Sequence, residues 1–184
     1  MSSRPLLISR SRFPSAALVT AVCGCLASSG QLPPRLAAPA VAVEHDTYRV
    51  RRVRDGEVLE LTIVATYTNR TADTIVVHPC YERRQAVALE KWVDGEWKSA
   101  FGQACPDILD RGAPRLAPGA SRTDTSLIFA TLRTNTEPRF ELATVPGLYR
   151  MVYWGVHGPA RADGRLGALL PKEQRVSNPF RVVE

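Results

Sequence analysis

The 184-residue sequence predicts an all-β domain, a sandwich or barrel of about 7–8 short strands. Three observations carry this. Apolar and polar residues alternate with a period of two in segment after segment. Gly/Pro-rich turns separate those segments, and no stretch sustains a helical period.

The opening "TYRVRRV" reads as a strand. In "EVLELTIVATYTNR", Leu59, Leu61, Ile63, Ala65 and Tyr67 share one face. Glu60, Thr62, Thr66 and Thr68 share the other, with Val64 as the exception. Asn69 to Asp73 is turn-rich; Asn69-Arg70-Thr71 also matches a glycosylation acceptor and is read as a turn. "TIVVHPC" reads as the returning strand, ended by Pro79.

"LEKWVDGEWKSAF" carries the sharpest local signal. Asp94-Gly95 between two β-prone runs predicts a two-residue hairpin turn. That turn pairs Val93 with Glu96 and Trp92 with Trp97, making the indoles cross-strand neighbours. They serve either as sheet packing or as a binding face. After "LAPGA", Thr123, Thr125, Leu127 and Phe129 alternate with Arg122, Asp124, Ser126 and Ile128. After Pro146-Gly147, Tyr149, Met151 and Tyr153 oppose Leu148, Arg150, Val152 and Trp154. "QRVSNPFRVVE" closes the domain, broken at Pro179. Two long connections interrupt this pattern: residues 102–118 and residues 156–173. The second is Gly-rich, carries Arg161, Arg165 and Lys172, and is a candidate recognition loop.

The first 25 residues have a different character. Arg4, Arg10 and Arg12 precede the apolar or small run "FPSAALVTAVCGC", with no acid among them. A basic stretch, a short apolar core and small residues make a secretory signal. The run of about 13 residues is shorter than the roughly 20 that a bilayer span needs. Residues 26–46 are rich in Ala, Ser, Pro and Gly and read as a flexible tether. The expected organisation is a leader over 1–24, a tether over 25–46 and a β domain over 47–184.

Cys80 and Cys105 remain after the leader. In an oxidising exported compartment they are expected to pair. The closed loop of about 26 residues would contribute ~3.5 kcal/mol in the chain-entropy account. A metal site from His78, Cys80, Cys105 and His157 lacks the paired CxxC spacing of structural zinc, so no metal and no cofactor is expected. No nucleophile elbow, HExxH or paired-carboxylate pattern supports an enzyme. A dispersed site using His45, His78, Asp107 and His157 is the enzymatic alternative.

The formal charge is +6, but it is unevenly spread. Without the three leader arginines, 21 of the 24 basic residues face 18 acidic ones, a balance of +3. That is weak for a nucleic-acid binder, and none is expected as a partner.

Val22-Cys23-Gly24-Cys25 resembles the lipobox of bacterial lipoproteins, which implies acylation at Cys25. Thr20-Ala21-Val22-Cys23 matches less well, because Val22 is bulky where the pattern has a small residue. Cleavage near Ala27 and free secretion is the alternative. Leu26 after Cys25 implies the outer membrane in a didermal cell. The motifs "TNRTADTIVV", "WVDGEW", "LAPGAS", "PGLYRMVYW" and "SNPFRV" resemble immunoglobulin-like sandwich domains of exported bacterial proteins. Their order is also similar to the BsuPI-type proteinase-inhibitor family. The resemblance implies an antiparallel immunoglobulin-like sandwich over residues 47–184. It implies a non-enzymatic envelope lipoprotein that touches the membrane through its lipid and binds an envelope partner or serves a structural role. The alternative is a proteinase inhibitor presenting a loop. Trp92, Trp97, Arg161 and Arg165 are the candidate binding residues.

Overall fold

A computed structural model describes residues 32–54, 58–78, 87–102, 113–131 and 145–184. Cys25, Cys80, Cys105 and Asp107 lie outside them, as do the leader and most of residues 102–118. The described residues form twelve strands and one 3-10 turn, Lys172–Gln174; none of them is α-helical.

The longest strand shows how the sequence pattern becomes a core. β4 (Val58–Thr68) turns Leu59, Leu61, Ile63, Ala65 and Tyr67 inward, each at most 1% exposed. β4 is the hub of the first sheet. β1 (Val41–Val43) and β3 (Arg51–Val53) pair antiparallel with one side of it, at opposite ends. β9 (Ser121–Thr131) pairs antiparallel with the other side, in one register from Thr68↔Ser121 to Val58↔Thr131. In the second sheet the order is β2 (Thr47–Arg49), β12 (Phe180–Val183), β10 (Gly147–Tyr153), β6 (Val87–Val93) and β7 (Glu96–Gly102). Its pairs are antiparallel except β2 with β12, which is parallel. A third, small sheet joins β11 (Val156–His157), β5 (Ile75–Val77) and β8 (Arg115–Leu116).

One core cluster draws on all three sheets, including Tyr67, Tyr149, Tyr153, Phe101 and Phe180. Burying a tyrosine requires a partner for its hydroxyl. Tyr67 donates to the carbonyl of Gln174 at 3.1 Å, and Tyr149 donates to that of Val145. Asn69 is fully buried and its amide is saturated. Its Nδ2 donates to the carbonyls of Asp73 and Leu116, and its Oδ1 accepts from the Thr71 amide and hydroxyl. The glycosylation-like triplet is therefore a structural turn that ties β4 to β8.

Three features depart from the local reading. First, "TYRVRRV" is two strands in different sheets. Val50, 4% exposed, sits where the chain passes from β2 to β3. Second, β5 does not return along β4; β9 takes that place, and β5 pairs with β8 and β11. The continuous apolar run Ile75-Val76-Val77 is buried throughout, which suits it to a sheet covered on both faces. Third, part of the segment read as tether belongs to the fold. Val41 is fully buried, and Val41–Val43 is strand β1. Alanine- and proline-rich composition hid a three-residue strand that a period-two count is too short to detect.

Candidate functional site

The β6–β7 hairpin forms as its turn residues predict. Asp94 and Gly95 both take positive φ, +53° and +84°, the conformation of a type I′ turn. Val93 pairs with Glu96 and Trp92 with Trp97. The indole centroids are 5.1 Å apart at 62°, an edge-to-face contact. Leu89 and Phe101 of these strands enter the main core. The alternation puts Glu90, Trp92 and Trp97 on the opposite, outer face, where both indoles are half-buried.

Strand β10 completes the cluster. Arg150 lies directly across from Glu90. Its Nε and Nη2 reach Glu90 Oε2 at 2.8 and 2.6 Å. Its guanidinium carbon stands 4.5 Å over the Trp97 ring, a cation–π contact. Lys172, from the 3-10 turn, pairs with Glu90 Oε1. The Arg150 and Glu90 side chains are only 18% and 14% exposed, so solvent screens this pair less than an open surface pair. The arrangement is a pre-ordered aromatic and cationic face. It can pack flat groups against the indoles and attract an acceptor to its one excess positive charge.

Arg161 and Arg165 stand elsewhere, at the tip of a folded excursion over residues 156–170. Gly158 donates to Ala168 and Leu170 to Val156, so the two limbs pair. At the tip Arg161 N donates to Arg165 O, Gly164 N donates to Arg161 O, and Asp163 sits between the two guanidinium groups. Buried Arg175 holds the returning limb. It donates to the carbonyls of Leu170 at 2.7 Å and Tyr153 at 2.8 Å, and burial lowers its pKa. Residues 156–173 are thus an organised hairpin whose foot, Lys172, rests on the tryptophan face.

The small sheet brings two of the three histidines, His78 and His157, onto neighbouring segments. His45 packs against Tyr48 ahead of β2, the rings tilted at 53° with centroids 5.5 Å apart. His157 pairs with Val76 in the small sheet, and its Nδ1 lies 3.1 Å from Gly167 O. The His78 backbone donates to Gly155 O at 2.6 Å, just beyond β5. No group of three or more His, Cys, Asp or Glu that could hold a metal occurs among the described residues.

Sequence reading missed Glu90 and Arg150, and named Lys172 only as a basic residue of the 156–173 connection, not as part of the tryptophan face. Alternation offered a signal for two of them. Glu90 shares a strand phase with Trp92, and Arg150 lies on the outward phase of "LYRMVYW". Nothing local marks Lys172 as the partner of Glu90, 82 residues away.

No protein-family model matches the chain, and no curated protein matches it. Among solved structures, the chain is similar to the Pseudomonas fluorescens alkylpurine DNA glycosylase AlkC bound to DNA containing an abasic site analog. The TM-score is 0.30 and the identity 13%, over 80% of this chain and 32% of that chain. The chain thus spans about a third of that protein, and a likeness of this degree carries no argument about fold or activity.

Proposed function

We propose that this protein is an exported, lipid-anchored, non-enzymatic binding module of the bacterial cell envelope, built on an immunoglobulin-like sandwich. The strand order supports the fold. On this reading β4 and β9 would correspond to strands B and E, and β6, β10 and β12 to C, F and G. The N-terminal segment is shared between the sheets, with β1 against β4 and β2 against β12. The arginine-containing leader and the Cys25 motif support export and acylation.

The observation that carries the binding reading is the outer face of β6, β7 and β10, where Trp92, Trp97 and Arg150 are gathered around Glu90. A photocrosslinking residue at exposed Ser99, two residues from Trp97 on β7 and across from Glu90, tests it in living cells. The expected result is a discrete envelope partner, lost in Trp97→Ala. Absence of any Ser99-specific product across growth conditions, or the same products from a probe at Thr125, overturns it. The inhibitor alternative needs Arg161 or Arg165 offered on an extended backbone, whereas their turn is closed by its own hydrogen bonds. A protease panel with no inhibition at micromolar protein would remove that alternative.

Non-reducing tryptic mass spectrometry of the membrane fraction tests the cysteine chemistry. An acylated "CLASSGQLPPR" and a linked pair of "TADTIVVHPCYER" and "SAFGQACPDILDR" are expected. An unmodified start beyond Cys25 would make the protein freely secreted.

A further inference from the structure

We propose that the cleft where the chain enters the fold is a docking site for the anionic phospholipid headgroups of the anchoring membrane. This inference rests on the lipid-anchored reading above. The cleft has a volume of about 280 Å³ and lies between residues 32–35 and the starts of β2 and β12. Leu148 and Phe180 give it an apolar wall, and Arg35, Arg181 and Asp46 bring charge to it.

Its charge selects the ligand. Arg35, Arg181 and a single acid, Asp46, line the cleft, and the Asp46 carboxylate lies 3.9 Å from the Arg35 guanidinium. The Arg35 and Asp46 side chains are 68% and 88% exposed, so this pair is loose and screened, and a phosphate can replace it. Two guanidinium groups with fixed donor forks suit a phosphodiester. Beside them Leu32 is 73% exposed and Leu36 36% exposed. Apolar side chains next to arginines are what a segment at a membrane interface presents. The volume suits a headgroup phosphate with its neighbouring atoms and is too small for a whole lipid.

Chain length selects the source. Cys25 precedes Leu32 by seven residues, which span at most about 25 Å when fully extended. Asn178 holds the chain on the near side of that span. Its Oδ1 accepts from Leu36 N at 2.9 Å and its Nδ2 donates to Leu36 O at 3.3 Å. An acyl group at Cys25 would therefore keep the cleft beside the headgroup layer at high effective concentration. Bound headgroups would fix the orientation of the domain on the membrane.

The test uses the acylated protein, purified from membranes and placed in nanodiscs of phosphatidylcholine alone or with phosphatidylglycerol. Hydrogen exchange is read at Leu36, Thr47 and Arg181. Several-fold slower exchange in the anionic discs, abolished by Arg35→Glu with Arg181→Glu and by high salt, is expected. Equal exchange in the two discs, with the acyl group present, overturns the cleft proposal and leaves the anchor standing. If mass spectrometry finds no acyl group, the anchor reading fails. The unacylated chain is then sedimented with phosphatidylglycerol vesicles. Binding that needs both arginines sustains the cleft, and binding that ignores them overturns it.

Discussion

Glu90 and Lys172, 82 residues apart, form an ion pair that fastens the foot of the 156–170 excursion to the outer face of β6. The same carboxylate holds Arg150 over Trp97. One side chain therefore positions the aromatic face and the neighbouring hairpin together.

Glu90→Gln should consequently destabilise the fold. It leaves Arg150 and Lys172 close together without their shared counter-charge. The expected destabilisation is about 1–3 kcal/mol, the usual range for losing a partner of a charge-assisted hydrogen bond. Chemical denaturation checks this figure, and Arg150→Met in the same background should cost less than the two changes summed. Additive costs would show that the pair is uncoupled.

The indole pair predicts a spectroscopic signature. At 5.1 Å and 62°, Trp92 and Trp97 should give an exciton couplet in far-ultraviolet circular dichroism. Trp97→Phe and Trp92→Phe should each abolish it while melting remains cooperative. Trp154→Phe should leave it intact, because Trp154 is a separate residue, 56% exposed, beyond the end of β10. A couplet surviving Trp97→Phe would refute the pairing.

Asn69→Ala removes two donors and an acceptor from a buried turn. The carbonyl of Leu116 and the amide of Thr71 then lose partners. A cost of about 2–4 kcal/mol is expected from leaving such groups unsatisfied, which lowers Tm by several degrees. Enzymatic deglycosylation should leave the mass unchanged, since Asn69 has no exposed surface to modify.

Gly155→Ala should be far worse than Gly102→Ala. A Cβ at Gly155 would stand 2.5 Å from the backbone oxygen of His78, which cannot move without disturbing the hydrogen bond from His78 N to Gly155 O. A Cβ at Gly102 meets nothing within 4 Å. About 1–3 kcal/mol of overpacking is expected at Gly155 and a near-neutral effect at Gly102. Equal melting temperatures would contradict the contact.

High pH should unfold the protein through its tyrosines. Burial pushes Tyr67 up from 10.0 to about 12, and Tyr149 and Tyr153 still higher. A group whose folded pKa is raised contributes stability that is complete below the unfolded value. That stability is lost as pH climbs from 10 toward 12 and beyond. Lys91 acts in the opposite sense. Burial lowers its pKa, so the cost of holding its charge inside fades as pH approaches 10.5. The tyrosines outnumber it, and the net loss should begin above pH 10. Tyrosinate absorbance followed together with circular dichroism checks this. Ionisation of all tyrosines near pH 10 with native dichroism intact would refute it.

Alternation and turn chemistry alone settle which residues share a face and where the chain turns. Leu59, Leu61, Ile63, Ala65 and Tyr67 share one face because a pleated strand alternates strictly. Trp92 meets Trp97 because Asp94-Gly95 sets a two-residue register. Tertiary structure decided what alternation leaves open. β9 shows this most plainly: Ile128 and Ser126 are buried, while Leu127 and Phe129 are 40% and 48% exposed. Its inward phase carries Arg122 and Asp124, ion-paired at 2.7 Å, opposite Tyr67 and Ala65. A period of two names two faces and says nothing about which one a partner sheet will cover. That choice, the place of β9 beside β4 and the ion pair from Lys172 to Glu90 depend on chain segments far apart in sequence. They are set by what the assembled core can bury and which charges it can pair, not by local backbone preference.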